Sequence, residues 1–186
     1  MLQKLLFIDR DGTIIVEPPD HQVDSLEKFQ MMAGAAEALS RIARTLDYKL
    51  VMVTNQDGLG TASFPEEHFW PAQKKMVEIL REQGVVFSEI LIDKSLPHEN
   101  APTRKPRTGL LTHYLKGNYD LKNSYVIGDR ITDMELAKNL GSRGIFIKRG
   151  SGSPSLEKIA EMGLGGVVAL VASGWPEIVA YLEKHR

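Results

Sequence analysis

The chain has 186 residues, 42% of them hydrophobic, and its 23 basic and 24 acidic side chains leave a formal net charge of -1. That length suits one domain with a substantial core and is short for two, while the near balance of charge argues against both a basic field for nucleic acid and an acidic, disordered chain. There is no cysteine, which excludes disulfides, thiolate zinc sites and cysteine nucleophiles and suits a reducing compartment.

Residues 1–8 run into the charged Asp9-Arg10-Asp11 cluster after only a few apolar positions. A signal peptide needs a longer apolar region and a small-residue cleavage site. Residues 5–8 (Leu-Leu-Phe-Ile) read instead as a buried strand that stops at Asp9. Residues 35–46 have helical spacing, with Ala36, Leu39, Ile42, Ala43 and Leu46 on one face. Residues 50–53 form a second apolar run ending at Thr54. Pro65 suits a first helical turn, and a helix is expected from there to Gln83, stopped by Gly84. Residues 90–92 read as a third strand, followed by a polar, proline-containing loop over 93–107.

A short helix over 110–116 comes next, then a fourth strand at 124–127 that ends at Gly128-Asp129. A helix over 132–140 is closed by Gly141, and residues 145–147 are a fifth strand. Residues 151–155 are a Gly/Ser/Pro loop. Residues 167–171 and 176–184 fit a sixth strand and a closing helix. The longest apolar run near the end, 167–172, is far too short to span a bilayer, so a cytoplasmic protein without a membrane partner is expected. Strands separated by helices require crossovers. The fold class is therefore α/β, a Rossmann-like open parallel sheet with helices on both faces, and residues 1–186 are expected to form one domain.

Four features sit at strand ends. Asp9-Arg10-Asp11-Gly12-Thr13 follows strand one, and its paired carboxylates suit a nucleophile or metal ligand beside a proton donor. The same five residues also suit an Asp-rich turn. Thr54-Asn55, after strand two, offers a hydroxyl and an amide to phosphate oxygens, or caps the strand. Arg104-Lys105-Pro106 offers a cation for a phosphoryl group, or is a solvated basic loop. In Gly128-Asp129-Arg130-Ile131-Thr132-Asp133 the two carboxylates four apart suit a hard cation, or cap a helix. Their common location favours function. Ligands of an open parallel sheet bind beyond the carboxyl ends of its strands, where the strand order reverses. With strand one between strands two and four, neighbouring strands about 4.8 Å apart bring Asp9, Thr54 and Asp129 within reach of one ion.

This order of motifs resembles the haloacid-dehalogenase superfamily: Asp9-x-Asp11-Gly12-Thr13, Thr54, Lys105 and Gly128-Asp129-x-x-x-Asp133. Within it, Phe7 to Thr13, Glu17-Pro18-Pro19, Val53 to Thr61, Ser63-Phe64-Pro65 and Arg104-Lys105-Pro106 look like the histidinol-phosphate phosphatases, a likeness covering about residues 5–140. These are often one half of a bifunctional histidine-biosynthesis enzyme, and the residues leave open a separate phosphatase or part of a longer chain. The resemblance implies a magnesium-dependent hydrolase of a small phosphomonoester. Asp9 would be the nucleophile and Asp11 the general acid and base. Lys105 would offset charge, and Thr54 and Asn55 would hold phosphate. Magnesium would lie among Asp9, the Asp11 carbonyl and Asp129, with Asp133 behind.

Many relatives carry a zinc loop whose ligand places correspond to Asp93, Ser95, Ala101 and Thr103, so no structural zinc is expected here. The stretches after strands one and three are too short for a large cap domain. Glu17 and Gln22 lie where the family is expected to meet the substrate's amino and imidazole end, and they read equally as solvated loop residues. A heptose-bisphosphate phosphatase is the nearest rival. A nucleic-acid 3′-phosphatase lacks its basic face here, and a non-catalytic protein of this fold is disfavoured by the intact carboxylates.

Overall fold

The computed structural model describes residues 2–150 and 152–186, so Met1 of the opening stretch and Ser151 of the expected loop lie outside the described residues. Six strands form one parallel sheet. In chain order they are β1 (Lys4–Ile8), β2 (Tyr48–Asn55), β3 (Glu89–Asp93), β4 (Tyr125–Gly128), β5 (Arg143–Ile147) and β6 (Val168–Ala172), and their spatial order is β3-β2-β1-β4-β5-β6. The helices are α1 (Ala35–Thr45), α2 (Glu66–Glu82), α3 (Thr112–Lys116), α4 (Ile131–Leu140), α5 (Leu156–Ile159) and α6 (Trp175–Lys184).

Alternation along the strands splits the core. Leu6, Ile8, Leu50, Met52, Ile127 and Ile145 face α1, α2 and α6, where Ile42, Met76 and Trp175 are fully buried. Leu5, Phe7, Val51, Val53 and Val126 face the other way, onto Tyr114 of α3 and Leu136 and Leu140 of α4. Both faces are covered, which is why these strands read as unbroken apolar runs.

The expected elements are found with ends moved by a residue or two. Two differences are larger. β2 is eight residues long and continues through Thr54 and Asn55, because both pair with β3 at Ile92 and Asp93. The segment after residue 155, unassigned from its sequence, holds α5 and a wider π-turn over Ala160–Leu164. Ile159 and Leu164 from this segment pack on Met134 and Phe146. Gly163, at φ 75°, interrupts the helical pattern. Among the described residues no helix is long and apolar enough to cross a membrane and no large cap interrupts the sheet.

Candidate active site

The chain runs outward from β1 to β3 on one side, then returns to start β4 on the other side of β1. The order therefore reverses between β1 and β4, and the first residues beyond them are Asp9 and Asp129. The Asp9 amide extends the ladder by donating to the Ile127 carbonyl at 2.9 Å. Beyond Asp9 the chain doubles back, with the amides of Ile14 and Ile15 both bonding the Arg10 carbonyl. Gly12 turns this loop at φ 74°. A Cβ there would lie 2.5 Å from Asp129 Oδ2, so glycine is required for both the backbone angle and the close approach. Trp175 of α6 is fully buried and donates from Nε1 to the Thr13 carbonyl at 2.8 Å, tying the loop to the core.

Asp9, Asp129 and Asp133 converge: one carboxylate oxygen of each lies within 4.8 Å of the others, and all three residues are buried. Lys105 reaches this cluster from the long loop, with Nζ 2.6 Å from Asp9 Oδ1 and 2.8 Å from Asp133 Oδ1. Burial alone would weaken the ammonium, but the two carboxylates outweigh it and hold Lys105 protonated far into the alkaline range. Burial dominates for Asp9 and raises its pKa well above the ordinary carboxylate range, with Lys105 opposing and Asp133 and Asp129 adding to the rise. Asp129 is raised too, by burial first, against the pull of Arg149. The acids outnumber the cations that reach them, which favours a further positive charge.

An oxygen-rich set suits a hard divalent cation. Asp129 Oδ1 is buried with no hydrogen-bond partner, while Oδ2 accepts from Arg149 Nη1 at 2.6 Å. A buried carboxylate oxygen without a partner is costly, and a cation beside Asp9 would relieve it. Magnesium thus fits these residues. Both oxygens of Asp133 are already engaged, one by Lys105 and one by the Arg130 amide at 3.1 Å, which supports a role behind the ion rather than on it.

Asp11 stands at the edge of the cleft with both oxygens held. Arg10 Nη1 donates to Oδ1 and Gln56 Nε2 to Oδ2, each at 2.6 Å. Gln56 Nε2 also donates to Thr54 Oγ1 at 2.8 Å, leaving the Thr54 proton for another acceptor. Asn55 lines the same cleft, and its side chain is tied to the Lys105 backbone. Its side-chain carbonyl accepts from the Lys105 amide at 3.0 Å, and its NH2 donates to the Lys105 carbonyl at 3.2 Å. Asn55 thus pins the backbone that presents Lys105.

Glu17 is buried, not solvated. Its carboxylate is held by Arg130, by Arg149 Nη1 at 2.5 Å and by His21 Nδ1 at 3.0 Å. These partners lower its pKa despite burial. A substrate cation would have to exchange with one of them. Gln22 donates to the Ser63 carbonyl at 3.2 Å and to Asp24. Both residues line one cleft of about 690 Å³ with Asp9, Asp11, Gln56 and Lys105. Four site residues escaped the sequence reading. Arg10 and Gln56 lie inside motifs that were singled out, Arg130 lies between two of the acids, and Arg149 follows β5 with no local signal of its own.

The loop carrying Lys105 is organised by Asp93, the last residue of β3. Its Oδ1 accepts from the Ser95 amide at 3.0 Å and from the Ser95 hydroxyl, and its Oδ2 accepts from Thr103 Oγ1 at 2.5 Å. The Ala101 carbonyl accepts from the Arg104 amide at 3.2 Å. The four places that correspond to zinc ligands are therefore all used in internal hydrogen bonds. Arg104 extends the network to Asp57 at 2.5 Å and to the Ser95 carbonyl at 2.9 Å. Asp93→Ala leaves the partly buried Ser95 and Thr103 donors unmatched and should cost about 1–2 kcal/mol, read as a fall in the denaturant midpoint. An unchanged midpoint would show that the loop is held elsewhere.

A family model described as HAD-hydrolase-like matches residues 102–173. The chain is 50% identical over 184 residues to the histidine biosynthesis bifunctional protein HisB of Bacteroides fragilis, covering 98% of this chain and 48% of that protein. It is 47% identical to the protein of the same name from Spirosoma linguale, over 98% and 49% of the two chains. This chain thus spans about half the length of the curated relatives it matches. Among solved structures, the D,D-heptose 1,7-bisphosphate phosphatase of B. bronchiseptica, complexed with magnesium and phosphate, superposes with a TM-score of 0.83 at 24% identity, covering 98% of this chain and 99% of that one. That likeness establishes the fold.

Proposed function

Because the chain belongs to the haloacid-dehalogenase-like hydrolases, we propose that its 186 residues form a single phosphatase domain that hydrolyses histidinol phosphate through an aspartyl-phosphate on Asp9. The observation that carries this reading is the buried Asp9 carboxylate, 2.6 Å from Lys105 and grouped with Asp129 and Asp133 at the reversal of strand order. The name shared by relatives about 50% identical supports histidinol phosphate over a heptose bisphosphate. Histidine biosynthesis in the cytoplasm, with no nucleic-acid or membrane partner, follows from the same reading, as does membership of a longer bifunctional enzyme.

An Asp9 oxygen attacks phosphorus. As that O–P bond forms, the bond from phosphorus to the substrate's alkoxide oxygen breaks, and the leaving oxygen takes the proton of the Asp11 carboxyl. Asp11, now a carboxylate, then takes a proton from water as the water oxygen attacks phosphorus. The P–O bond to Asp9 breaks, inorganic phosphate leaves, and both residues return to their starting forms. Lys105 offsets negative charge on Asp9 and the phosphoryl group. Thr54 donates its free proton to a phosphoryl oxygen, and Asn55 offers its second amide proton to phosphate while bracing the Lys105 backbone. Asp9, Asp129 and the Asp11 carbonyl would hold magnesium, which when bound supplies positive charge next to a phosphoryl oxygen. Glu17 and Gln22 meet the amino and imidazole end, with Glu17 exchanging an arginine for the substrate cation.

Phosphate release should be measured over a panel of histidinol phosphate, D,D-heptose 1,7-bisphosphate and a 3′-phosphorylated oligonucleotide. Histidinol phosphate should give the highest kcat/KM, only with magnesium. No structural zinc is proposed, so protein stripped with a chelator should recover fully on adding magnesium alone. Preference for another substrate, or a need for zinc, would overturn the corresponding part of the reading.

A further inference from the structure

Asp11 is partly buried at the rim of the cleft, where a carboxyl without partners would swing between rotamers. Two groups prevent this. Arg10 fixes one oxygen at 2.6 Å, its fully buried guanidinium stacked 4.8 Å above the Phe69 ring. Gln56 fixes the other, also at 2.6 Å, with an amide nitrogen that reaches Thr54 Oγ1 at 2.8 Å too. Gln56 is itself rigidly placed. Its side chain is buried, its backbone N–H donates to the Asp93 carbonyl at 2.7 Å, and its carbonyl accepts from the Leu59 amide at 3.1 Å. One amide group therefore spans the loop after β1 and the end of β2.

We propose that Gln56 is a positioning residue that aims the Asp11 carboxyl at the leaving-group oxygen and turns the Thr54 hydroxyl so that its proton faces the phosphoryl group. The second part follows from donor counting. Thr54 Oγ1 already accepts from Gln56, so its own proton must seek a different acceptor. Both protons of the Gln56 amide are committed to Asp11 and Thr54, so it acts through them. Its effect should therefore depend on how much the departing oxygen needs a proton. An alkoxide is a poor leaving group and requires the acid, whereas p-nitrophenolate leaves unaided.

This inference rests on the phosphatase reading of the same site. Gln56→Met keeps the side-chain volume and removes the donors. For histidinol phosphate, or the best alkyl phosphate of the panel should that be inert, it should lower kcat about 100-fold with KM within about threefold. For p-nitrophenyl phosphate, the loss should stay within about fivefold. Gln56→Glu, which sets a second carboxylate against Asp11, should lose at least as much on the alkyl substrate, and so provides a second reading if the Met variant folds poorly. Equal losses on both substrates, or normal alkyl turnover in Gln56→Glu, would overturn the proposal while leaving the phosphatase reading standing. Failure of the wild-type protein on every phosphate ester would remove both.

Discussion

Asp9→Asn is expected to abolish phosphate release, by a factor of at least about 10⁴, in a protein that still folds. The amide has the same shape and still accepts from Lys105 through its remaining oxygen, but it cannot form the ester-like bond to phosphorus. Stability should not suffer. Burial already opposes the Asp9 charge, as its raised pKa records, so replacing that charge with a neutral amide removes a desolvation cost. In magnesium-free buffer the melting temperature should be equal to or above that of the wild type. The gain in melting temperature on adding magnesium should shrink, because one anionic ligand is gone. Turnover within tenfold of the wild type would disprove a covalent role for Asp9, and a collapsed melting curve would make Asp9 a structural residue.

Lys105→Met should damage both stability and catalysis. The ammonium is buried and neutralises Asp9 and Asp133 together. Removing one partner of a buried ion pair leaves uncompensated charge and costs about 3–5 kcal/mol, and loss of the cation facing the phosphoryl group should lower kcat about 10²–10³-fold. The pH dependence has a definite sign. Lys105 has a raised pKa, so its contribution in the wild type is complete below the ordinary lysine range and is lost only as pH rises through its still higher folded value. Between pH 6 and 9 its own titration contributes no slope.

In the variant Asp9 loses the cation that was lowering its pKa, which then rises further. A carboxyl with a raised folded pKa binds more protons folded than unfolded, so stability falls as pH increases between the two values. Without magnesium, Lys105→Met should therefore be closest to wild type in mild acid and fall further behind as the pH rises toward neutrality and beyond. A deficit that is flat or grows toward acid would contradict the buried acid–lysine cluster.

The apolar runs at residues 5–8 and 124–127, and the helical spacing at 35–46, are local patterns that survive in any compact arrangement of this chain. Burial on both faces of a parallel sheet makes a strand apolar throughout, and Gly141 ends α4 in the left-handed conformation that glycine permits. The acids at 9, 11, 129 and 133 were legible for a related reason. Two buried strands run straight into acids, with Gly12 beside Asp11 and Gly128 beside Asp129, and solubility alone does not explain that pattern. The segment over 156–164 was not legible, because its four-residue helix is too short to show a period, Gly163 breaks the turn that follows, and packing on Met134 and Phe146 holds it.

Side-chain pairing across the sheet lay beyond local pattern altogether. Asn55 has the residue type of a phosphate ligand, and nothing local shows that in the fold it also braces Lys105, fifty residues away. Glu17 reads equally as a substrate contact and as a solvated loop residue, and only the fold shows it buried by Arg130 and by Arg149, which lies 132 residues further along the chain. Thus the amino-acid sequence alone determined the layered α/β fold and the acids at its strand ends, because periodicity and turn chemistry act over a few residues. The tertiary structure decided which partner each polar group takes. Those bonds form only when strands distant in the chain are brought side by side, and burial then forces every polar atom to find whatever donor or acceptor the packing supplies.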